Sequence, residues 1–356
     1  MNIKVHSSEL NRMMKTISQC IDDRQQRFGN IEISYDNNML TIRGTDGQFS
    51  AVVSTAVLGG DGEKFCVDGT FFARACSMCS GEVSIITDEK FCTIKGTGRT
   101  RLPIVNAEVP KYKPVSEKNT TTHVKSDDFS FAYNSVSHAI SADQSRIQLT
   151  GVLFEADETK LQMTALDGFR MAVNTVECNG DAMKIIIPGS FMKLIQSSTS
   201  PDETITIISD GKRVEATTEY MKITCGLLVG EFPDVSRIVP QDFKIGCLVN
   251  VDQIRNALRS SSILNSKNNL VKFAIAENKI TVMSNSEEAD YEETIDCETS
   301  GGELKIAFNQ KYIMDTFTSV TGNEAIMKFN NSTSPCVIHG KEEKGFKLVL
   351  PVRVMG

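Results

Sequence analysis

One structural pattern is written three times along the chain. Segments 5–10, 124–129 and 249–254 align without a gap, so that Leu10 falls over Phe129 and Ile254, Met13 over Ala132 and Ala257, and Met14 over Tyr133 and Leu258. Apolar residues at i, i+3 and i+4 mark one face of a helix. Further on, Ile31, Ile33, Leu40, Ile42 and Asp46 stand 121 positions before Val152, Phe154, Leu161, Met163 and Asp167, and a step of 119 then reaches Val271, Phe273, Ile280, Val282 and Ser286. Their period-2 alternation predicts half-buried strands. A third landmark, Asp68-Gly69-Thr70-Phe71, Pro188-Gly189-Ser190-Phe191 and Asn309-Gln310-Lys311-Tyr312, opens a short amphipathic helix each time. Units of about 120 residues have the size of domains rather than of solenoid repeats. The expected domains are 1–118, 119–243 and 244–356. Each reads as strand, helix and three strands, then a second strand, helix and strands. That is an α+β class with antiparallel sheets on one side and two helices on the other.

The proline-bracketed stretch from Pro110 to Asn119 reads as an interdomain connector, whereas Phe232 to Pro240 mixes apolar residues with prolines and reads as packed. Hydrophobic residues at 40% and charged residues at 23% are ordinary for a soluble globular chain. No apolar run has the length of a membrane span. Met1 to Val5 begins directly in strand-like alternation, without a basic and then apolar leader, which implies a cytoplasmic protein. The ten cysteines are scattered, and only Cys76-Ser77-Met78-Cys79 has close spacing. His6, His123, His138 and His339 add no matching interval, so reduced thiols are expected, with no metal and no cofactor.

Candidates for catalysis are poor. Asp46 and Asp167 recur but the third copy has Ser286, and a polar residue before Gly47 or Gly168 is most simply a turn cap. Asp22-Asp23 and the run Glu287 to Glu293 have no positioned histidine, which leaves solvated charge as the default. Gly96-Thr97-Gly98 lacks the frame of a phosphate loop and reads as a hairpin. A net charge of -7 argues against a protein that clings to phosphate. The repeated helices nevertheless carry Arg12, Lys15, Arg74, Lys193, Arg255, Arg259 and Lys311. These cations form either one mildly basic surface or a scatter of solvated side chains.

Three stretches resemble the bacterial sliding clamp family, the β subunit of DNA polymerase III. They are Arg146-Ile147-Gln148-Leu149-Thr150-Gly151-Val152-Leu153-Phe154-Glu155 with Ala165-Leu166-Asp167-Gly168-Phe169-Arg170-Met171-Ala172; Gly230-Glu231-Phe232-Pro233-Asp234 with Arg237-Ile238-Val239-Pro240; and the ending Leu348-Val349-Leu350-Pro351-Val352-Arg353. The resemblance covers the whole chain. It implies the DNA-clamp fold, a head-to-tail homodimer closing six domains into a ring around double-stranded DNA, antiparallel sheets outside and two helices per domain lining the bore. Partners would be the clamp loader, the replicative DNA polymerase and other proteins carrying clamp-binding peptides, with no membrane and no catalytic residue.

The residues carried over fall into three groups. The peptide pocket would comprise Arg146, Leu149, Leu166, Gly168, Phe169, Arg170 and Met171, with Pro233, Arg237 and Ile238. Tyr312, Thr333, Pro335, Val349, Leu350, Pro351, Val352 and Arg353 complete it, with Arg170 and Arg237 at the rim. DNA-facing residues would be Arg12, Lys15, Arg24, Arg74, Gln148, Lys193, Arg255 and Arg259. The dimer joint would use the apolar pair Ile263 and Leu264, with Arg99 and Arg101 facing the acidic run from Glu287 to Glu293. The chain departs from the family pattern at Gln148 and Phe169, in the loop before Arg24, and in the extra Met355-Gly356. The alternative is a three-domain peptide-binding scaffold that encircles nothing.

Overall fold

The computed structural model describes residues 1–353 except 26, 58, 264–268 and 287–288. One series of elements occurs three times in chain order: strand, helix, three strands, a very short strand, a strand, helix, three strands. The helices are α1 (Ser7–Ile17), α2 (Gly69–Ser77), α3 (Ser126–Val136), α4 (Gly189–Ser198), α5 (Val251–Ser262) and α6 (Gln310–Ser319). Sequence periodicity does not reveal the short strands Gly60–Asp61, Asn179–Gly180 and Glu298–Ser300, because two or three residues carry no pattern.

Local chemistry accounts for the helix starts. Asp68 caps α2 by accepting from Phe71 N, Asn250 caps α5 by accepting from Gln253 N, and Asn309 caps α6 by accepting from Lys311 N and Tyr312 N. In α1 the predicted stripe of Leu10, Met13 and Met14 is buried, and Ile17 continues it. The recurrent polar residue is a turn cap in all three copies. Asp46 Oδ1 accepts from Gln48 N and Phe49 N, Asp167 Oδ1 from Phe169 N and Arg170 N, and the Ser286 hydroxyl from Ala289 N. Lys95 pairs with Arg99 across the Gly96-Thr97-Gly98 hairpin.

The sheets do not follow the sequence repeat. The chain divides into two compact units, 1–127 with 178–183 and 190–227, and 128–177 with 184–189 and 228–356. The first unit holds a five-stranded sheet and a nine-stranded sheet; the second holds another of nine and one of four. In the first unit Met221–Gly226 pairs antiparallel with Phe49–Ala56, placing Ile223 opposite Ala51. In the second, Gly345–Val349 pairs antiparallel with Arg170–Glu177, placing Lys347 opposite Ala172. The last strand of one repeat thus extends the sheet of the repeat before it.

The connector after the first repeat differs from the loose linker its composition suggests. Residues 104–119 lack regular structure, yet Val109 is buried and its carbonyl accepts from the Arg43 guanidinium, and the Tyr112 hydroxyl donates to Glu215 at 2.6 Å. Ser116 N adds a bond to Asp210 Oδ2. An aromatic side chain and three charged groups secure this connector. All ten cysteines are free thiols. Burial pushes Cys92 and Cys247 up to about 12, so neither is a thiolate nucleophile at neutral pH.

Candidate functional site

The second unit gathers three separate stretches of chain around one apolar cluster. Its floor is Leu149, Leu166, Met171, Val173, Val337 and Leu348, walled by the partly buried Phe232, Val235, Val239, Phe243 and Phe346. Strand pairing creates the floor, since Arg170 lies opposite Val349 and Met171 opposite Leu348. The chain then continues along the site, with Leu350 N donating to Phe169 O at 2.9 Å and Val352 N to Ala307 O at 2.8 Å. Leu149, Met171 and Val349 are core residues and are already covered. Leu149 and Met171 belong to this floor and Val349 to the neighbouring core cluster, so none of the three presents an open apolar seat. Phe169, Ile238, Leu350 and Val352 are instead the large apolar side chains left exposed around it.

A capped turn sets the rim. Gly168 has φ +94, a conformation that L side chains rarely adopt, and a Cβ there would stand 3.2 Å from the Arg146 guanidinium. Arg146 donates to Asp143 Oδ2 at 3.2 Å and to Asp167 O at 3.3 Å. Hydrogen bonds from Ser145 and then Arg146 hold the Asp143 carboxyl below its usual range. The turn thrusts Phe169 outward, 54% exposed, where it stacks on Tyr312 with ring centroids 5.6 Å apart.

Arg170 is 7% exposed, so it is no rim arginine as the sequence reading has it. Its Nε donates to Asp167 Oδ2 at 3.0 Å, its Nη1 to Asp315 Oδ2 at 2.7 Å, and its guanidinium lies 4.7 Å from the Tyr312 ring centre. A buried guanidinium needs such partners, because an unpaired one is costly to desolvate. Asp315 is partly buried, which pushes its carboxyl up, but hydrogen bonds from Arg170 and Lys311 outweigh this and hold it below the ordinary value. Beside them His138 is pushed down to about 3, chiefly by burial and then by the Arg170 and Lys347 charges. Its ring nitrogens have no hydrogen-bond partner among the described residues. Nothing in the sequence pattern marks Asp315 or His138 as part of this site. Asp315 follows Tyr312 by one helical turn, a spacing that puts both on one face.

The remaining pocket residues border this frame. Asp234 caps the turn Val235–Arg237 and pairs with the exposed Arg237 at 3.0 Å, with Pro233 and Ile238 on either side. Pro335 precedes Cys336, which lies opposite Val349. Thr333, Val352 and Arg353 line a cavity of about 620 Å³, and Pro351 links the two tail residues Leu350 and Val352.

The cations expected to face nucleic acid are not equivalent. Lys15, Arg74, Lys193 and Arg259 are exposed. Arg12 pairs with Glu9 at 2.8 Å and lies over the Tyr220 ring, and the exposed Arg24 is held by Asp22. Gln148 is partly buried. Arg255 departs from the expectation: its guanidinium donates to Phe317 O at 2.9 Å and Val320 O at 2.6 Å, and pairs with Asp252 at 3.2 Å. It satisfies the terminal carbonyls of α6 and is not a free surface cation. Among the joint residues, Arg99 is exposed, Arg101 pairs with Asp88 at 3.2 Å, and Ile263 is 80% exposed. Leu264, Glu287 and Glu288 lie outside the described residues.

Known proteins match along the whole chain. Residues 123–234 match the family model "DNA polymerase III beta subunit, central domain", and residues 236–353 match "DNA polymerase III beta subunit, C-terminal domain". The Beta sliding clamp of Staphylococcus epidermidis is 25% identical over 343 residues, 91% of either chain. The crystal structure of the DNA polymerase III beta subunit from Thermotoga maritima has a TM-score of 0.92 at 23% identity, covering 99% of this chain and 100% of that one. A Pseudomonas aeruginosa sliding clamp solved bound to griselimycin has a TM-score of 0.91 at 21% identity, with 99% and 100% covered.

Proposed function

The chain belongs to the DNA polymerase III beta subunit family of sliding clamps, and on that premise we propose that it works as a head-to-tail homodimeric ring on duplex DNA. Sliding clamps are processivity factors and not enzymes. The ring, its partners, the cytoplasmic location and the domain limits 1–118, 119–243 and 244–356 are parts of this proposal.

The observation that carries it is a pair of unmatched sheet edges. The fourth strands of the first and second repeats, Phe49–Ala56 and Arg170–Glu177, are each extended by the last strand of the following repeat. The third repeat's equivalent, Asp290–Asp296, is the edge of the four-stranded sheet, and the first repeat's last strand, Arg99–Pro103, is the edge of the five-stranded one. Joined through a second copy, these edges would make another sheet of nine. Uncovered edges are otherwise a liability.

The repeat also supplies the register. Tyr291 lies opposite Ser284 as Ala51 lies opposite Gly44, and Thr100 lies opposite Ile94 as Ile223 lies opposite Ala216. Tyr291 of one protomer therefore faces Thr100 of its partner. Glu292 then opposes Arg99, and Asp290 opposes Arg101, two cross-strand pairs of opposite charge. The apolar side of the joint follows likewise. Phe191 packs on Phe49 at 5.6 Å and Tyr312 holds Arg170, whereas their counterpart Phe71 is 57% exposed. Gln19 accepts from Ser197, while its counterpart Ile263 is exposed, as is Met78 (68%) just after α2. We assign Phe71, Met78 and Ile263 to the joint; the first two escape a sequence reading because an aromatic on a helix and a methionine at its end read as core.

A ring tethers by topology, so phosphate contacts need only be weak, which suits a chain of net charge -7 with a few exposed lysines and arginines on its helices. Partners would dock short peptides on the Phe169, Ile238, Leu350 and Val352 surface, whose size fits leucine and phenylalanine side chains. Light scattering tests the reading: the solution mass should be twice the 39.2 kDa of one chain. A monomer at every concentration would leave the scaffold alternative standing.

A further inference from the structure

Beside the proposed peptide surface lies the cavity of about 620 Å³ lined by Lys272, Met283, Lys305, Thr333, Val352 and Arg353. Its geometry follows from sheet register. Lys272 lies opposite both Ala307 and Met283, so an ammonium and a thioether sit side by side in one row, with Lys305 two residues from Ala307 on the neighbouring strand. The tail closes the remaining side through the bond from Val352 N to Ala307 O. No carboxylate lines the cavity, and its three cations make no ion pair among the described residues. The nearest acid in the row is Glu292, opposite Met283, which the proposed joint matches with Arg99 of the partner.

Three cations without an ion pair among the described residues thus border an apolar hollow on a chain of net charge -7. We propose that this cavity receives an acidic side chain and an adjacent aliphatic one from the segment flanking the hydrophobic core of a partner peptide. Lys272 and Lys305 take the carboxylate while Met283 and Val352 cover the aliphatic neighbour, since methionine adapts to varied apolar shapes. Val352 belongs to both surfaces, so a peptide leaving the first enters the second without a break. The inference rests on the peptide-site reading and adds to it a charge preference. A generally acidic protein would disfavour an acidic ligand, so a preference for one has to come from local cations.

Calorimetry on the full chain tests this with two synthetic peptides sharing a leucine and phenylalanine core, one flanked at both ends by Asp-Leu and the other by Asn-Leu. The Asp peptide should bind about three- to tenfold more tightly at low salt, and the advantage should fade as salt rises. In the double variant Lys272→Gln, Lys305→Gln the two peptides should bind alike, with the Asn peptide unchanged from wild type. Equal binding by the wild type, or an advantage that survives the double variant, would overturn the inference and leave the peptide site intact. Failure of both peptides to bind the wild type would overturn the peptide site and this inference together.

Discussion

Asp315 on α6 accepts from Arg170 at 2.7 Å, and this bond ties the helix to the turn that displays Phe169. Because Arg170 is buried, its charge depends on Asp315 and Asp167 for compensation. We expect Asp315→Ala to destabilise the fold by about 2–3 kcal/mol, less than the roughly 3–5 kcal/mol for a fully buried pair, because Asp167 remains and Asp315 is partly exposed. Peptide affinity should fall as well, since Phe169 loses its support. Thermal melts and calorimetry check both. The carboxyl is held below its ordinary value, so its stabilisation is present above about pH 4 and is lost as pH falls through the folded value.

His138 gives a second pH dependence with the same sign. Its folded value is depressed to about 3, so between that and the unfolded value near 6.5 the unfolded chain binds the extra proton. Stability is complete above about pH 6.5 and declines toward pH 3, by about 2 kcal/mol at pH 5. His138→Gln should flatten that slope in denaturant titrations from pH 7 to 5. An unchanged slope would refute the placement of a neutral buried imidazole there.

At the joint, Arg99→Glu with Arg101→Glu should yield monomers by light scattering, because like charges would then face Glu292 and Asp290. Adding Glu292→Arg and Asp290→Arg should restore the dimer. Ile263→Lys or Phe71→Ala should weaken it without rescue by the charge swap. Dimers that survive the first pair would exclude the proposed register.

Arg255 and Arg259 should separate. Arg255→Gln removes a charged donor from the end of α6 and is expected to cost about 2 kcal/mol of stability. Arg259→Glu should leave the melt unchanged and weaken binding to a linear duplex, in a manner insensitive to sequence and steeply reduced by salt.

Removing residues 350–356 should abolish peptide binding while leaving the dimer mass unchanged. Leu350 and Val352 are exposed on the proposed peptide surface, whereas the proposed joint uses strands 99–103 and 290–296. A truncated chain that bound the peptide at full strength would place the site elsewhere.

The threefold pattern, the helix faces and the strands were legible in the sequence, because an apolar residue at Leu10 or Ile33 reports its own burial through local periodicity. Turn chemistry was equally local: Asp46 and Asp167 cap the next few backbone amides whatever surrounds them. What only the tertiary structure decided is which strand extends which sheet, since nothing within Arg99–Pro103 or Gly345–Val349 tells that the first has one neighbouring strand and the second has two. It also decided the state of each charged side chain. Arg170, Arg237 and Arg255 are chemically identical, yet one is buried between two carboxylates, one is exposed beside Asp234, and one closes the end of a helix. A charge acts through space at a few ångströms, on partners that can lie more than a hundred residues away in the chain, and no short window of sequence holds them both.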